Sequence, residues 1–249
     1  MVLSRFLFLL SLLLLQNSFN RVKIYSNQQT ESGENMSIKE NIETVKSEIG
    51  GATLICVSKY HTEEEIMEAY NAGQRDFGEN KVQDMVKKQE NLPKDIRWHL
   101  IGHLQTNKVK YIIGKTCLIQ SVDSFELAEI INKKSEDAGL ITDILVQVNS
   151  TGIESRFGVE PGKAVDFIKK ISEFKNISIK GLMGMAPICD DPAPYFDNLK
   201  KLFDECVSLE LLEGEILSMG MSGDYKYAVD CGSNMVRIGS KIFMHSANE

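Results

Sequence analysis

Apolar residues fall in two rhythms along this chain. Short runs such as TLICVSK (53–59), ILVQVN (144–149) and ISIKGLMGM (177–185) are dense in apolar and β-branched side chains. Between them, apolar positions recur every three or four residues. The runs predict strands and the spaced stretches predict amphipathic helices. Eight strand candidates follow one another: 53–59, 75–80, 97–103, 117–123, 144–149, 177–185, 215–222 and 235–240. The helices carry their own punctuation. From Met36, Ser37 stands as a cap before Ile38, Ile42, Val45 and Ile49, which share one face. Thr62 with Glu65 three residues on reads as a capping box, and Gly73 closes that helix. Ser124 opens a helix that runs to Gly139; Val165, Ile168 and Ile171 line another; YFDNLKKLFDECVSLELL (195–212) repeats the pattern.

Eight strands alternating with helices from Thr53 to Ser240 predict the α/β class and a single-domain (β/α)8 barrel of the TIM type. An open doubly wound sheet is the alternative. The usual nucleotide fingerprints of such sheets are missing: no G-x-G-x-x-G follows a strand and no G-x-x-x-x-G-K-[ST] occurs.

The first nineteen residues break the pattern. Arg5 precedes an apolar run from Phe6 to Leu15, too short to span a bilayer easily and similar to a secretory h-region. The small-residue cleavage site expected after it is poor. Translation from Met36 is the second reading, with Gly33-Glu34 encoded by a purine-rich, ribosome-binding-like stretch. On either reading residues 1–35 are a leader-like or mis-annotated extension outside the fold, and residues 36–249 form the barrel domain.

Bulk composition narrows the function classes. Of 249 residues, 43% are apolar and 25% charged, which suits a soluble globular protein. A formal net charge of −7 gives no general attraction to nucleic acid, while leaving room for a local phosphate pocket. Cys56, Cys117, Cys189, Cys206 and Cys231 are dispersed, with no C-x-x-C, and read as free thiols in a reducing compartment. The expected location is the cytoplasm, with export or organelle targeting left open by the apolar N-terminus. Of the four histidines, only His99 and His103 are closely spaced, four apart in a predicted strand, and such a pair alone is a weak metal signal. No metal is expected. His99 reads first as a core histidine satisfied by backbone.

In barrels of this kind the chemistry lies at the C-terminal strand ends. Those ends present Lys59, Glu79-Asn80, His99 and His103, Ser121 and Asp123, Asn149, Met183 and Met185, Ser222, and finally Arg237, Gly239 and Ser240. Lys59 stands out, because an ammonium group seldom ends a buried run. Partly desolvated in a barrel mouth, a lysine sheds its proton more readily and attacks a carbonyl as the free amine. As a surface residue it merely snorkels to water. The pairs SMGMSGD (218–224) and MVRIGS (235–240) place hydroxyls beside glycines at strands seven and eight, where barrels often bind phosphate. A lysine opposite a phosphate cradle points to a phosphorylated aldehyde, and pyridoxal 5′-phosphate (PLP) has that chemistry.

VSKYHTEEEIMEAYNAGQRDFGENKVQD, WHLIGHLQTNK, GLMGM, LSMGMSGD and MVRIGSKIF, spread from Leu54 to Phe243, resemble the pyridoxal phosphate homeostasis proteins. That family is similar in fold to the N-terminal barrel of alanine racemase. The resemblance implies that Lys59 carries PLP as an internal aldimine. It places Asn80 near the ring's polar edge, Ser222, Gly239 and Ser240 at the phosphate, and Arg237 against the pyridine nitrogen. A donor-only guanidinium there leaves the ring nitrogen unprotonated, a weak electron sink. Two positions depart from the family: His103 stands where proline is usual, and Arg156 where lysine is common. Asp224 agrees with the pattern, and a helix N-cap role explains it.

The expected function is a PLP-binding protein of intracellular PLP homeostasis, without catalytic turnover. The alternative is a PLP-dependent racemase, or a Schiff-base lyase drawing a carboxylate from Glu79 or Asp123. Racemisation needs proton donor and acceptor on opposite faces of the substrate carbon. Lys59 serves one face, and none of Tyr60, Tyr111, Tyr195, Tyr225 and Tyr227 is an obvious second base. The expected partners are PLP and apo PLP-dependent enzymes, with no nucleic acid and no stable membrane span, for a monomeric protein.

Overall fold

The structure is a computed structural model that describes residues 36–153 and 155–243; the leader-like segment 1–35 lies outside them. Eight parallel strands close into one barrel in chain order, and the last pairs with the first. They are β1 (Thr53–Val57), β2 (Asp76–Glu79), β3 (Arg97–Leu100), β4 (Leu118–Val122), β5 (Thr142–Gln147), β6 (Ile177–Met183), β7 (Ile216–Ser218) and β8 (Met235–Ile238). The helices are α1 (Ile38–Glu48), α2 (Glu63–Asn71), α3 (Val82–Asn91), α4 (Phe125–Ala138), α5 (Pro161–Ile171), α6 (Ala193–Ser208) and α7 (Tyr225–Asp230). A 3-10 turn (Thr106–Tyr111) takes the helix position between β3 and β4.

The caps read from the sequence are present. Ser37 with Glu40, and Thr62 with Glu65, form reciprocal capping boxes, and the Ser124 hydroxyl accepts the Leu127 N–H. Ile38, Ile42, Val45 and Ile49 are all buried, so α1 lays its predicted face on the barrel. In α5 the buried stripe is Ala164, Ile168 and Ile171, with Val165 half-buried beside it.

Alternation along the strands separates two cores. Leu54, Cys56, Phe77, Trp98 and Leu100 face the helices. Ile55, Leu118, Leu145, Met183 and Met235 pack together inside the barrel. The β1–β8 register pairs Ile55 with Arg237 and Cys56 with Ile238, which brings the two ends of the barrel sequence side by side.

Several strands are shorter than their hydrophobic runs. β3 stops at Leu100, so His99 and His103 do not share one strand face. Two residues on, the chain bends at Gly102, where a Cβ would lie 2.3 Å from the Asn80 carbonyl oxygen. β7 ends at Ser218, which puts Ser222 in the loop beyond it.

Candidate functional site

Lys59 sits two residues beyond β1, in a turn. The Ser58 carbonyl accepts the His61 N–H at 3.1 Å, and Tyr60 takes a left-handed conformation with φ of 71°. Such a conformation is costly for a side chain of this size and persists only where neighbours impose it. The neighbours are visible. The Ser58 hydroxyl donates to Glu79 Oε1 at 2.7 Å, and Lys88 Nζ, from α3, donates to both the Ser58 carbonyl (2.7 Å) and Glu79 Oε1 (2.6 Å). Glu79 is wholly buried, and its Oε2 has no partner among the described residues. The turn holds Lys59 out: its side chain is exposed, not partly desolvated as the strand-end position suggested, because the chain leaves the sheet at Ser58.

Across the β1–β8 seam lies the second part of the site. A Cβ on Gly239 would lie 3.1 Å from the Val57 carbonyl oxygen, a tight contact that the bare backbone avoids where the chain after β8 passes the end of β1. The Ser222 hydroxyl accepts the Gly239 N–H at 3.3 Å and the Lys241 N–H at 3.5 Å, tying the loop after β7 to the loop after β8. Ser240 is exposed between them. Asp224 stands at the N-cap position of α7 as expected, but its side chain makes no cap bond. Oδ1 instead accepts the Met221 N–H at 2.6 Å and closes the loop that presents Ser222. Burial pushes the Asp224 carboxyl up, and the charge of Arg237 pulls against that rise.

Arg237 is buried and forms the floor of the mouth. Its Nη1 donates to the Ser218 hydroxyl at 2.6 Å and its Nη2 to the Gly184 carbonyl at 2.9 Å, so the guanidinium reaches from β8 across to the ends of β7 and β6. Loss of solvent pushes its pKa down to about 10, against the pull of Asp224. It stays charged at neutral pH. Asn80 follows β2, two residues past Gly78, which faces Ile55 inside the barrel. Lys59, Asn80, Ser222, Arg237, Gly239 and Ser240 therefore fall at β7, β8, β1 and β2, four consecutive strands around the closed barrel.

Other strand-end residues do different work. His99 is satisfied by side chains, Asp76 and Gln120, and not by backbone. His103 lies 3.4 Å from Asp123 and stacks on Phe157 with ring centroids 3.7 Å apart. Burial raises the Asp123 carboxyl. Asn149 braces its own loop by donating to the carbonyls of Ile153 (2.8 Å) and Arg156 (3.1 Å). Ser121 is buried with no partner for its hydroxyl among the described residues. Tyr225 is tied to Glu48 and Lys241, and Tyr60 is exposed beside Lys59. Glu79, paired with Lys88, is not placed as a free carboxylate for Lys59. Ser218, Gly184 and Lys88 were missed as site residues. Inward parity on β7 was the one available signal for Ser218.

Residues 35–247 match the family described as the alanine racemase N-terminal domain. The pyridoxal phosphate homeostasis protein of Schizosaccharomyces pombe is 42% identical over 196 residues, covering 76% of this chain and 82% of its own. The human protein of the same name is 36% identical over 206 residues, covering 76% of this chain and 75% of its own. PipY of Synechococcus elongatus, solved with PLP bound, matches with a TM-score of 0.77 at 33% identity, over 84% of this chain and 100% of that one.

Proposed function

The chain belongs to the pyridoxal phosphate homeostasis protein family, with its alanine racemase-type barrel, and from that premise we propose that it binds PLP at the β7–β8–β1–β2 side of the barrel mouth and carries it for the cell's PLP-dependent enzymes. The observation that supports this reading is that Lys59, Asn80, Ser222, Arg237, Gly239 and Ser240 fall at the ends of four neighbouring strands. The residues fit the cofactor. Gly239 leaves backbone open where a side chain would crowd Val57, and Ser222 sits against it with a hydroxyl proton to offer a phosphate.

When bound, PLP supplies an aldehyde that captures amines and a ring that withdraws electrons. Lys59 would be the attachment point for the aldehyde carbon, on a turn braced by the Ser58–Glu79–Lys88 contacts. Ser222, Gly239 and Ser240 would hold the phosphate, and Asn80 the polar edge of the ring. Arg237 would meet the ring nitrogen as a donor that keeps its proton, which would restrain electron withdrawal and favour storage over turnover. The barrel of residues 36–249 acts as a monomer, in the cytoplasm, and passes PLP to apo enzymes. Among the described residues no helix is long and apolar enough to cross a membrane.

The test is an absorbance spectrum of the purified protein with PLP, before and after borohydride, beside Lys59→Ala. A yellow band that reduction removes, with a pyridoxyl adduct on Lys59, supports the reading. A protein that stays colourless with added PLP overturns it. Amino-acid racemase and lyase assays on the loaded protein separate carrier from enzyme.

A further inference from the structure

Behind Arg237 a line of polar side chains crosses the interior of the barrel. Ser218 Oγ lies 2.7 Å from Gln120 Oε1, and Gln120 Nε2 lies 3.2 Å from His99 Nδ1. His99 Nε2 is 3.1 Å from Asp76 Oδ1, and Asp76 also takes the Nε of Arg97 at 2.7 Å, where β2 and β3 begin. Gln120 and Ser218 are wholly buried, and His99 and Arg237 are 4% exposed. Polar groups this deep are costly unless each finds its partner.

The donor inventory gives the line a direction. Arginine only donates, so Ser218 Oγ accepts from Arg237 and its one proton goes to Gln120 Oε1. That turns the Gln120 amide nitrogen toward His99 Nδ1, which accepts. The His99 proton is then on Nε2, directed at the Asp76 carboxylate. With a neutral imidazole, this is the one arrangement in which every member is satisfied. Reversing Gln120 would leave the Ser218 hydroxyl without an acceptor and turn a bare imidazole nitrogen toward a carboxylate.

We infer that Gln120 and Ser218 are positioning residues that fix the Arg237 guanidinium against the bound ring, with His99 and Asp76 setting the direction of the line. Ser218 and Gly184 take one donor from each terminal nitrogen of the guanidinium, which locks the group's plane and leaves donors for the ring nitrogen. The inference rests on the proposal that PLP binds with its ring on Arg237. It adds that the seat of that ring is set from deep inside the barrel, by a line that ends at the start of β2.

Two measurements test it. Imidazole nitrogen NMR of the wild-type protein at neutral pH, assigned with His99→Gln, reads the tautomer without cofactor. The expected result is a proton on Nε2 and none on Nδ1; a proton at Nδ1 overturns the direction of the line. Absorbance and induced circular dichroism are then recorded for PLP-loaded Gln120→Met, Ser218→Ala and Ser218→Thr, each with its melting temperature and its pyridoxyl content after borohydride. Gln120→Met and Ser218→Ala should fold and still attach PLP at Lys59, but with a shifted band and a weaker dichroic signal. Ser218→Thr, which keeps the hydroxyl, should retain the wild-type spectrum. Folded variants whose spectra superimpose on wild type overturn the positioning role. If a variant does not fold, the NMR result decides. A wild type that takes up no PLP would sink the functional reading, while the tautomer result would still stand by itself.

Discussion

Glu79 and Lys88 meet at 2.6 Å in a buried ion pair directly behind the turn that presents Lys59. A pair of this kind adds little net stability, since both charges give up water, but loss of one partner strands the other. Lys88→Met should therefore destabilise the protein by about 3–5 kcal/mol in urea unfolding. Glu79→Leu with Lys88→Met should recover much of that loss, yet still attach PLP more slowly, because the Ser58 carbonyl and hydroxyl lose their tethers. Equal attachment rates in the double variant and wild type would show that the pair serves stability alone.

Ser222 links the loops after β7 and β8, and its removal should be felt through phosphate. A hydrogen bond to a charged group contributes about 1.5–3 kcal/mol, so Ser222→Ala should weaken PLP binding about ten- to a hundredfold. Pyridoxal, which lacks the phosphate, should bind both proteins alike. Titration with the two compounds makes the comparison.

Acid stability should depend on Asp76. Burial pushes its carboxyl up, but the hydrogen bonds from His99 and Arg97 outweigh this and hold it below its ordinary value. The unfolded chain then binds the proton more readily. The contribution of Asp76 is present above the ordinary carboxylate pKa of about 3.9 and is lost as pH falls through the lower folded value. Urea midpoints followed from neutral to strongly acidic pH should fall in wild type over that window, and Asp76→Asn should lack that part of the fall.

The interior of the barrel is a packed core and not a channel. Leu145 is wholly buried against Ile55, Leu118, Met183 and Met235. Leu145→Ala should cost about 2–5 kcal/mol, the range for a large side chain cut away where neighbours cannot collapse. Chemical denaturation measures it; a loss under about 1 kcal/mol would mean that the strands close in on the gap.

What was legible in the sequence was local. Ser37, Thr62 and Ser124 cap their helices with bonds made within three residues, so spacing alone revealed them. The strand order followed from alternation of strand and helix. Lys59, Ser222, Gly239 and Ser240 stood out by their chemistry at strand ends, whereas Asn80 and Arg237 were singled out by the family resemblance. What was hidden depends on neighbours remote in sequence. Lys88 reads as one lysine on the polar face of a helix until folding brings it to Glu79. Gln120 and Ser218 lie 98 residues apart, and inward parity alone makes them partners. The exposure of Lys59 turns on where the chain leaves β1, and hydrophobic content gives no sign of that point.

The pairing of β1 with β8 makes the site a seam between the beginning and the end of the barrel sequence. A chain emerging from the ribosome carries Lys59 early and gains Arg237, Gly239 and Ser240 only after the other strands are made. On the proposed site, full seating of the cofactor would report that the last strand has been synthesised and has closed on the first. A ligand held across that seam would also act as a clasp, adding its binding free energy to the resistance of the ring of strands against opening at that join.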